Sequence, residues 1–295
     1  MKVLFVFLHG IGDCIMFTPA IRMYKERYPN RSLGIVCLPL TEQFWLAHPL
    51  IDKVFVSKKK DPLPHGRLPS YIVQRMKLQK LINKIRRDHH YNKVEYIVPH
   101  SIHILGMSIP IPGLVRRMLT MRFESHEVVK LCNKLGVGSG RKWPAGFEQE
   151  IFIPRKYDAQ ARQILRNIKC RKPLCILHAQ ASSRNKCLTF REKNELIDIL
   201  RRKYTVCLMQ ERAYRPDVKG LFTTEVITSA AIIKKAGLFV GIDSGPAHIA
   251  EVLGIPRIII TKVFRSRLLY MADNRSLLLD KFDRSKIERY VNHAR

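Results

Sequence analysis

The sequence predicts two α/β domains in tandem, each built on a doubly wound parallel sheet. Three observations carry this expectation. Continuous apolar runs rich in β-branched residues, beginning with residues 3–8, alternate with segments of helical apolar spacing, as strands covered on both faces by helices require. The alternation starts afresh beyond a glycine-rich stretch at 136–146, which divides the chain into domains 1–150 and 151–295. A strand, a glycine-containing turn and a helix follow one another near both ends of the chain, at 3–28 and at 238–253.

Composition sets the outer limits. A chain of 295 residues with 46% apolar content is long enough for one large core or two smaller ones. The formal net charge of +29 calls for an anionic partner: nucleic acid, an anionic membrane surface or a phosphorylated substrate. Aromatic residues are not interleaved with the basic runs, so no stacking platform for a polynucleotide is visible and no nucleic acid is expected. The seven cysteines form no CxxC pair and no cluster with histidine. Mostly set in apolar runs, they read as reduced, buried thiols of a cytoplasmic protein, and no metal site is expected. Residues 3–8 are too short for a signal peptide and run into a glycine turn. Residues 97–115 lack Lys, Arg, Asp and Glu but contain Pro99, Pro110 and Pro112, so they read as buried strand plus loop, with no membrane span.

Taken in order, strands are expected at 3–8, 33–38 and 53–56, with a helix from the first glycine turn to about Tyr28. A helix at 71–88 carries an apolar stripe of Ile72, Met76, Leu81, Ile82 and Ile85. Lys77, Lys80, Lys84 and Arg87 recur on another face, either a solvated surface or an electrostatic face for anionic lipid or phosphorylated glycan, with Lys58-Lys59-Lys60 just upstream. A strand at 94–98 and a helix at 127–135 complete the first half. The second half offers a helix at 158–168, a strand at 174–178 and a polar loop at 179–188. Thr189-Phe190-Arg191-Glu192 is a capping box that opens a helix to Arg202. A strand at 205–209, a helix at 230–236, strands at 238–242 and 255–261 with a helix between them, and a helix at 285–293 follow. The last helix is a candidate to pack back on the N-terminal domain.

Two turns are shaped for chemistry. Gly10-Ile11-Gly12-Asp13 lets a ligand approach backbone, but an acid at 13 is unsuited to pyrophosphate; a carboxylate there is placed to take a proton or to cap the following helix. Asp243-Ser244-Gly245-Pro246-Ala247-His248 ends a strand and starts a helix. Asp243 or Ser244 can cap it, Pro246 suits the first turn, and Gly245 keeps the start clear of bulk. Free N–H groups and the positive end of the helix dipole suit a diphosphate, with His248 as a further donor. Ser182-Ser183-Arg184-Asn185-Lys186 lies in a loop after a strand and supplies hydroxyls and two cations for phosphate oxygens.

Together these motifs resemble glycosyltransferase family 9, the heptosyltransferases of lipopolysaccharide core assembly. The resemblance runs through G-x-G-D, Thr18-Pro19-Ala20, Tyr28-Pro29, His48-Pro49-Leu50-Ile51-Asp52-Lys53-Val54, His178-Ala179 with Ser182, Ser183 and Lys186, and the stretch from Asp243 to Ala250. It implies the GT-B fold, two Rossmann-like domains facing each other across a cleft. It also implies an inverting, metal-independent transfer from a nucleotide sugar, usually ADP-heptose, with no other cofactor, to an anionic glycolipid on the inner face of the inner membrane. Under the resemblance Asp13 matches the general base. Ser183, Lys186, Asp243, Ser244, Gly245 and His248 match the diphosphate cradle, and Glu211 the nucleoside-binding acid. The chain departs from the family at Lys186-Cys187-Leu188-Thr189, where Lys-x-Trp-Pro is usual, and at 262–267, where a glycine- and proline-containing loop is replaced. A sugar-nucleotide epimerase or hydrolase of the same fold would need further acids, and a non-catalytic nucleic-acid-binding protein rests on charge alone.

Overall fold

The computed structural model describes residues 1–57, 68–97, 101–104, 107–110, 148–170, 172–181, 184–223, 225–262 and 274–293. Lys58-Lys59-Lys60, the helix expected at 127–135, the glycine-rich stretch, Ser182, Ser183 and residues 263–267 lie outside them. The chain forms two compact units, Met1–Glu150 and Ile151–Arg295.

In the first unit, β1 (Lys2–Val6), β2 (Ser32–Cys37), β3 (Lys53–Val56) and β4 (Lys93–Tyr96) form a parallel sheet in the order β3-β2-β1-β4. α1 (Ile11–Arg27) and α3 (Leu68–Asp88) connect strands, and α2 (Glu42–Leu46) is a short helix before β3. β5 (Ser101–Ile104) and β6 (Met107–Pro110) pair as an antiparallel hairpin within the stretch read as buried strand plus loop. The core against α1 is aromatic: Phe5, Phe7, Phe17, Tyr24 and Trp45 meet edge-on or stacked at 4.7–6.2 Å. Pro19 sits well inside α1 and cannot donate to the Ile15 carbonyl. The Thr18 hydroxyl donates to that carbonyl instead at 2.8 Å and accepts from the Glu150 N–H at 2.9 Å. Thr18-Pro19 therefore repairs the helix and ties the end of the unit to it, helped by the Arg22–Glu150 ion pair. In α3, Ile82 and Ile85 are buried as expected, whereas Met76 lies on the exposed side of the helix. Gly34 admits the Tyr91 ring; a Cβ at 34 would lie 2.1 Å from the Tyr91 hydroxyl.

The second unit contains α4 (Arg155–Ile168), β7 (Leu174–His178), α5 (Phe190–Leu200), β8 (Thr205–Met209), β9 (Lys219–Leu221), α6 (Val226–Ile233), β10 (Leu238–Ile242), α7 (Gly245–Val252), β11 (Arg257–Ile260), β12 (Ser276–Leu279) and α8 (Arg284–His293). All six strands are parallel, in the order β12-β11-β10-β7-β8-β9. β7 and β10 are buried along their whole length, which is why they read as unbroken apolar runs. Leu177, Leu196, Leu200, Leu208, Val240 and Ile258 form one core, each apolar side chain contributing about 1.5–3 kcal/mol by leaving water. α5 opens on the expected capping box, with Thr189 accepting from the Glu192 N–H and Glu192 accepting from Thr189. The helix expected at 230–236 is Val226–Ile233, because a helix buried from Ile227 onward carries no exposed polar face to mark its start. The final helix, α8, buries Ile287 and Val291 in the second unit's own core.

Candidate active site

The second sheet has a topological switch. The chain leaves β7 toward β8 and β9, then returns to β10 on the other side of β7. Loops diverge at the carboxyl ends of β7 and β10, which is where open α/β sheets bind ligands. His178 ends β7, Asp243 and Ser244 follow β10, and a single 3-10 turn, Arg184–Lys186, supplies Lys186. Lys186 Nζ lies 2.5 Å from Asp243 Oδ2, and Asp243 is 5% exposed. Lys186 and Asp243, read separately in the sequence, are thus one ion pair.

Ser244 occupies the N-cap of α7, but its side chain does not cap the helix. The hydroxyl donates to the Ile242 carbonyl at 3.0 Å and accepts from His178 Nδ1 at 3.1 Å. No described residue accepts from the Gly245 N–H, Pro246 has none to offer, and the Ala247 and His248 N–H groups bond the Ser244 carbonyl, so the start of α7 presents the Gly245 N–H and the dipole without a competing side-chain cap. Burial holds the His178 imidazole well below its ordinary value, at about 4, so it is neutral near neutral pH. His48 in the first unit is lowered by burial in the same way, also to about 4. Each ring takes a proton in the unfolded chain near 6.5 but not in the folded one, so stability is lost as pH falls from 6.5 toward 4. Each histidine is expected to remove about 2 kcal/mol between about pH 7.5 and about pH 5. Urea unfolding at the two pH values checks this, and His178→Gln should abolish its share.

Behind Asp243 runs a row of buried polar groups. His248 Nε2 stands 3.9 Å from Asp243 Oδ1, His248 Nδ1 is 3.7 Å from Glu251 Oε2, and Glu251 Oε1 is 3.8 Å from Arg257 Nη2. His248, expected as a donor to an anion, is buried between two carboxylates. Arg257, 1% exposed, was passed over as one residue of an apolar strand. An arginine opening a fully buried strand is itself the signal, because it demands a buried acid.

The two departures from the family pattern meet each other. Lys262 Nζ donates to the Cys187 carbonyl at 3.1 Å and to Glu192 Oε2 at 2.5 Å. Burial would raise the Glu192 carboxyl, but hydrogen bonds from Lys262 and Thr189 outweigh it and hold the group below its ordinary value. Leu188 points into the core and its N–H bonds the Ala179 carbonyl, fixing the segment that follows Lys186.

Glu211 follows β8, buried, with Lys193 Nζ 2.6 Å from Oε2. Its Oε1 has no hydrogen-bond partner among the described residues. In the first unit the switch falls between β1 and β4, and Asp13 follows β1. Gly10, not Asp13, is the N-cap of α1; Asp13 is the third residue of the helix, half-buried in its first turn. No described residue hydrogen-bonds its carboxylate. Gly10 is exposed and Gly12 half-buried beside it. Lys77, Lys80, Lys84 and Arg87 are all exposed on α3 and pair with no carboxylate among the described residues. The carboxyl end of α3 opens into a groove of about 790 Å³ lined by Lys80, Lys84, Arg86, Arg87 and His90. Among the described residues no three His, Cys, Asp or Glu side chains gather as metal ligands, and no helix is long and apolar enough to cross a membrane.

The two parallel-sheet units with their helices match solved structures of the GT-B class of fold. Within that class the chain is similar in fold to a glycosyl transferase family 9 structure from Veillonella parvula DSM 2008 (17% identity, 100% of this chain and 90% of that one, TM-score 0.68). It is similar also to the E. coli ADP-heptose lps heptosyltransferase II (12% identity, 99% and 98%, TM-score 0.68). E. coli heptosyltransferase WaaC with ADP matches at 13% identity over 100% of both chains, with a TM-score of 0.63. No family model and no curated protein matches the sequence.

Proposed function

We propose that the chain is an inverting glycosyltransferase that moves a sugar, heptose from ADP-heptose, to an anionic glycolipid such as lipopolysaccharide core. The observation that carries this reading is the β7/β10 switch, where Lys186 pairs with Asp243 beside the start of α7, whose Gly245 N–H has no acceptor among the described residues. In a single displacement the acceptor oxygen bonds to the anomeric carbon as the bond to the diphosphate oxygen breaks, and configuration inverts. Asp13 takes the acceptor proton. Lys186 and the first turn of α7, rather than a resident metal ion, meet the charge that develops on the leaving diphosphate. Ser183 belongs to the same cradle by the resemblance, and Glu211 to the nucleoside. The exposed row Lys77, Lys80, Lys84 and Arg87 supports an anionic acceptor or membrane surface, and the location that goes with this proposal is the cytoplasmic face of the inner membrane.

Incubating the purified chain with ADP-heptose and a heptose-deficient core acceptor tests the reading. Release of ADP only when acceptor is present, with a mass increase of one heptose on the acceptor, is the expected result. ADP release without acceptor would make the protein a hydrolase, and interconversion of the sugar without ADP release an epimerase.

A further inference from the structure

α5 and the loop after β8 bring two aromatic side chains to the surface beside the buried Glu211. Phe190, the first residue of α5, is 69% exposed, and Tyr214 is 37% exposed. Their ring centroids are 5.6 Å apart with an interplanar angle of 43°. Lys193 Nζ lies 4.7 Å from the Tyr214 ring centroid and joins the pair to Glu211. α5 does not need Phe190 for its packing, since Leu196, Ile197 and Leu200 supply its core face. Large apolar rings left in water beside a buried acid with a vacant acceptor lone pair mark a surface that a ligand covers.

The occupant is defined by what the cluster offers. Two ring faces suit a flat heteroaromatic ring, and Glu211, a buried residue whose Oε1 is itself buried and has no hydrogen-bond partner among the described residues, supplies an acceptor for a neighbouring hydroxyl. Lys193 occupies Oε2 and leaves Oε1 for that hydroxyl, so it acts as a positioning residue. We infer that Phe190 and Tyr214 form the platform on which the nucleobase of the donor stacks, with Glu211 accepting from its ribose. The inference rests on the proposal that the second unit takes a nucleotide sugar, and it adds the base-binding surface to it. The platform was invisible in the sequence because Phe190 looks like a helix residue and Tyr214 like a loop residue, and only the fold brings their rings together.

The test compares ADP with inorganic pyrophosphate, which has the charge but no base, on the parent, Phe190→Ala/Tyr214→Ala and Tyr214→Phe. Base stacking on an aromatic side chain predicts about 5- to 150-fold weaker ADP binding in the double alanine variant. Pyrophosphate, read by competition, should bind parent and variant alike, and Tyr214→Phe should keep the parent's ADP affinity because the ring remains. Unchanged ADP binding by the double variant, in a parent that does bind ADP, overturns the platform and leaves the nucleotide site standing. Equal losses for ADP and pyrophosphate also overturn it, since the rings would then act on the cradle and not on a base. A parent that binds neither overturns the nucleotide reading and the platform with it.

Discussion

Asp13→Asn is expected to melt within about 4 °C of the parent and bind ADP with the parent's affinity, yet turn over about 10²–10⁴-fold more slowly. The structure makes this a clean substitution. Gly10 is the N-cap, so Asp13 does not hold the start of α1, and no described residue hydrogen-bonds its carboxylate. Asparagine keeps the size and removes only the charge, with a loss of about 0.3–1 kcal/mol of favourable interaction with the helix dipole. The proposed diphosphate cradle draws only on residues of the second unit, so ADP affinity should not move. What an amide cannot do is accept the acceptor's proton. A stable, ADP-binding Asp13→Asn variant with near-parental turnover would require a different base.

Lys186→Ala should weaken ADP binding by about 1.5–3 kcal/mol, the range for a hydrogen bond to a charged group. Two effects act in the same direction. The cation that meets the diphosphate is lost, and the buried Asp243 carboxylate that it neutralises is left facing the phosphates. A double variant separates them. If Lys186 serves only to neutralise Asp243, Lys186→Ala/Asp243→Asn recovers the parent's affinity; if it binds phosphate directly, most of the loss persists. The expectation is persistence, measured by calorimetric titration of ADP.

How far the sequence could be read depended on the length and burial of each element. β7 and β10 run over the residues expected of them, because a strand covered on both faces is an uninterrupted apolar run between turn residues. The capping box at Thr189 fixed the start of α5 for a similarly local reason. β9 was not foreseen: Lys219-Gly220-Leu221 is short, lies at the sheet edge and is apolar at one position only. β12 was missed as well, a four-residue strand at the other edge. At the site, Lys186 and the turn at Asp243 were legible as motifs, each next to its own strand. Their pairing was not, nor were the bonds of His178 to Ser244, Lys262 to Glu192 and Lys193 to Glu211. These contacts join segments whose proximity is set by the order of strands, and no local pattern encodes that order. Identities of 12–17% to solved structures that share the fold over nearly the whole chain show the same thing from the other side.

A nucleotide diphosphate held at the β7/β10 switch, as proposed, is detected by comparing ADP with adenosine in a calorimeter. Both carry the base and the ribose; only ADP carries the charge that Lys186 and the start of α7 are placed to meet. One charge-assisted hydrogen bond is worth about 1.5–3 kcal/mol, so ADP should bind at least about tenfold more tightly than adenosine, by a margin that shrinks as salt is added. Equal affinity for ADP and adenosine, or no binding of ADP at all, would contradict the account.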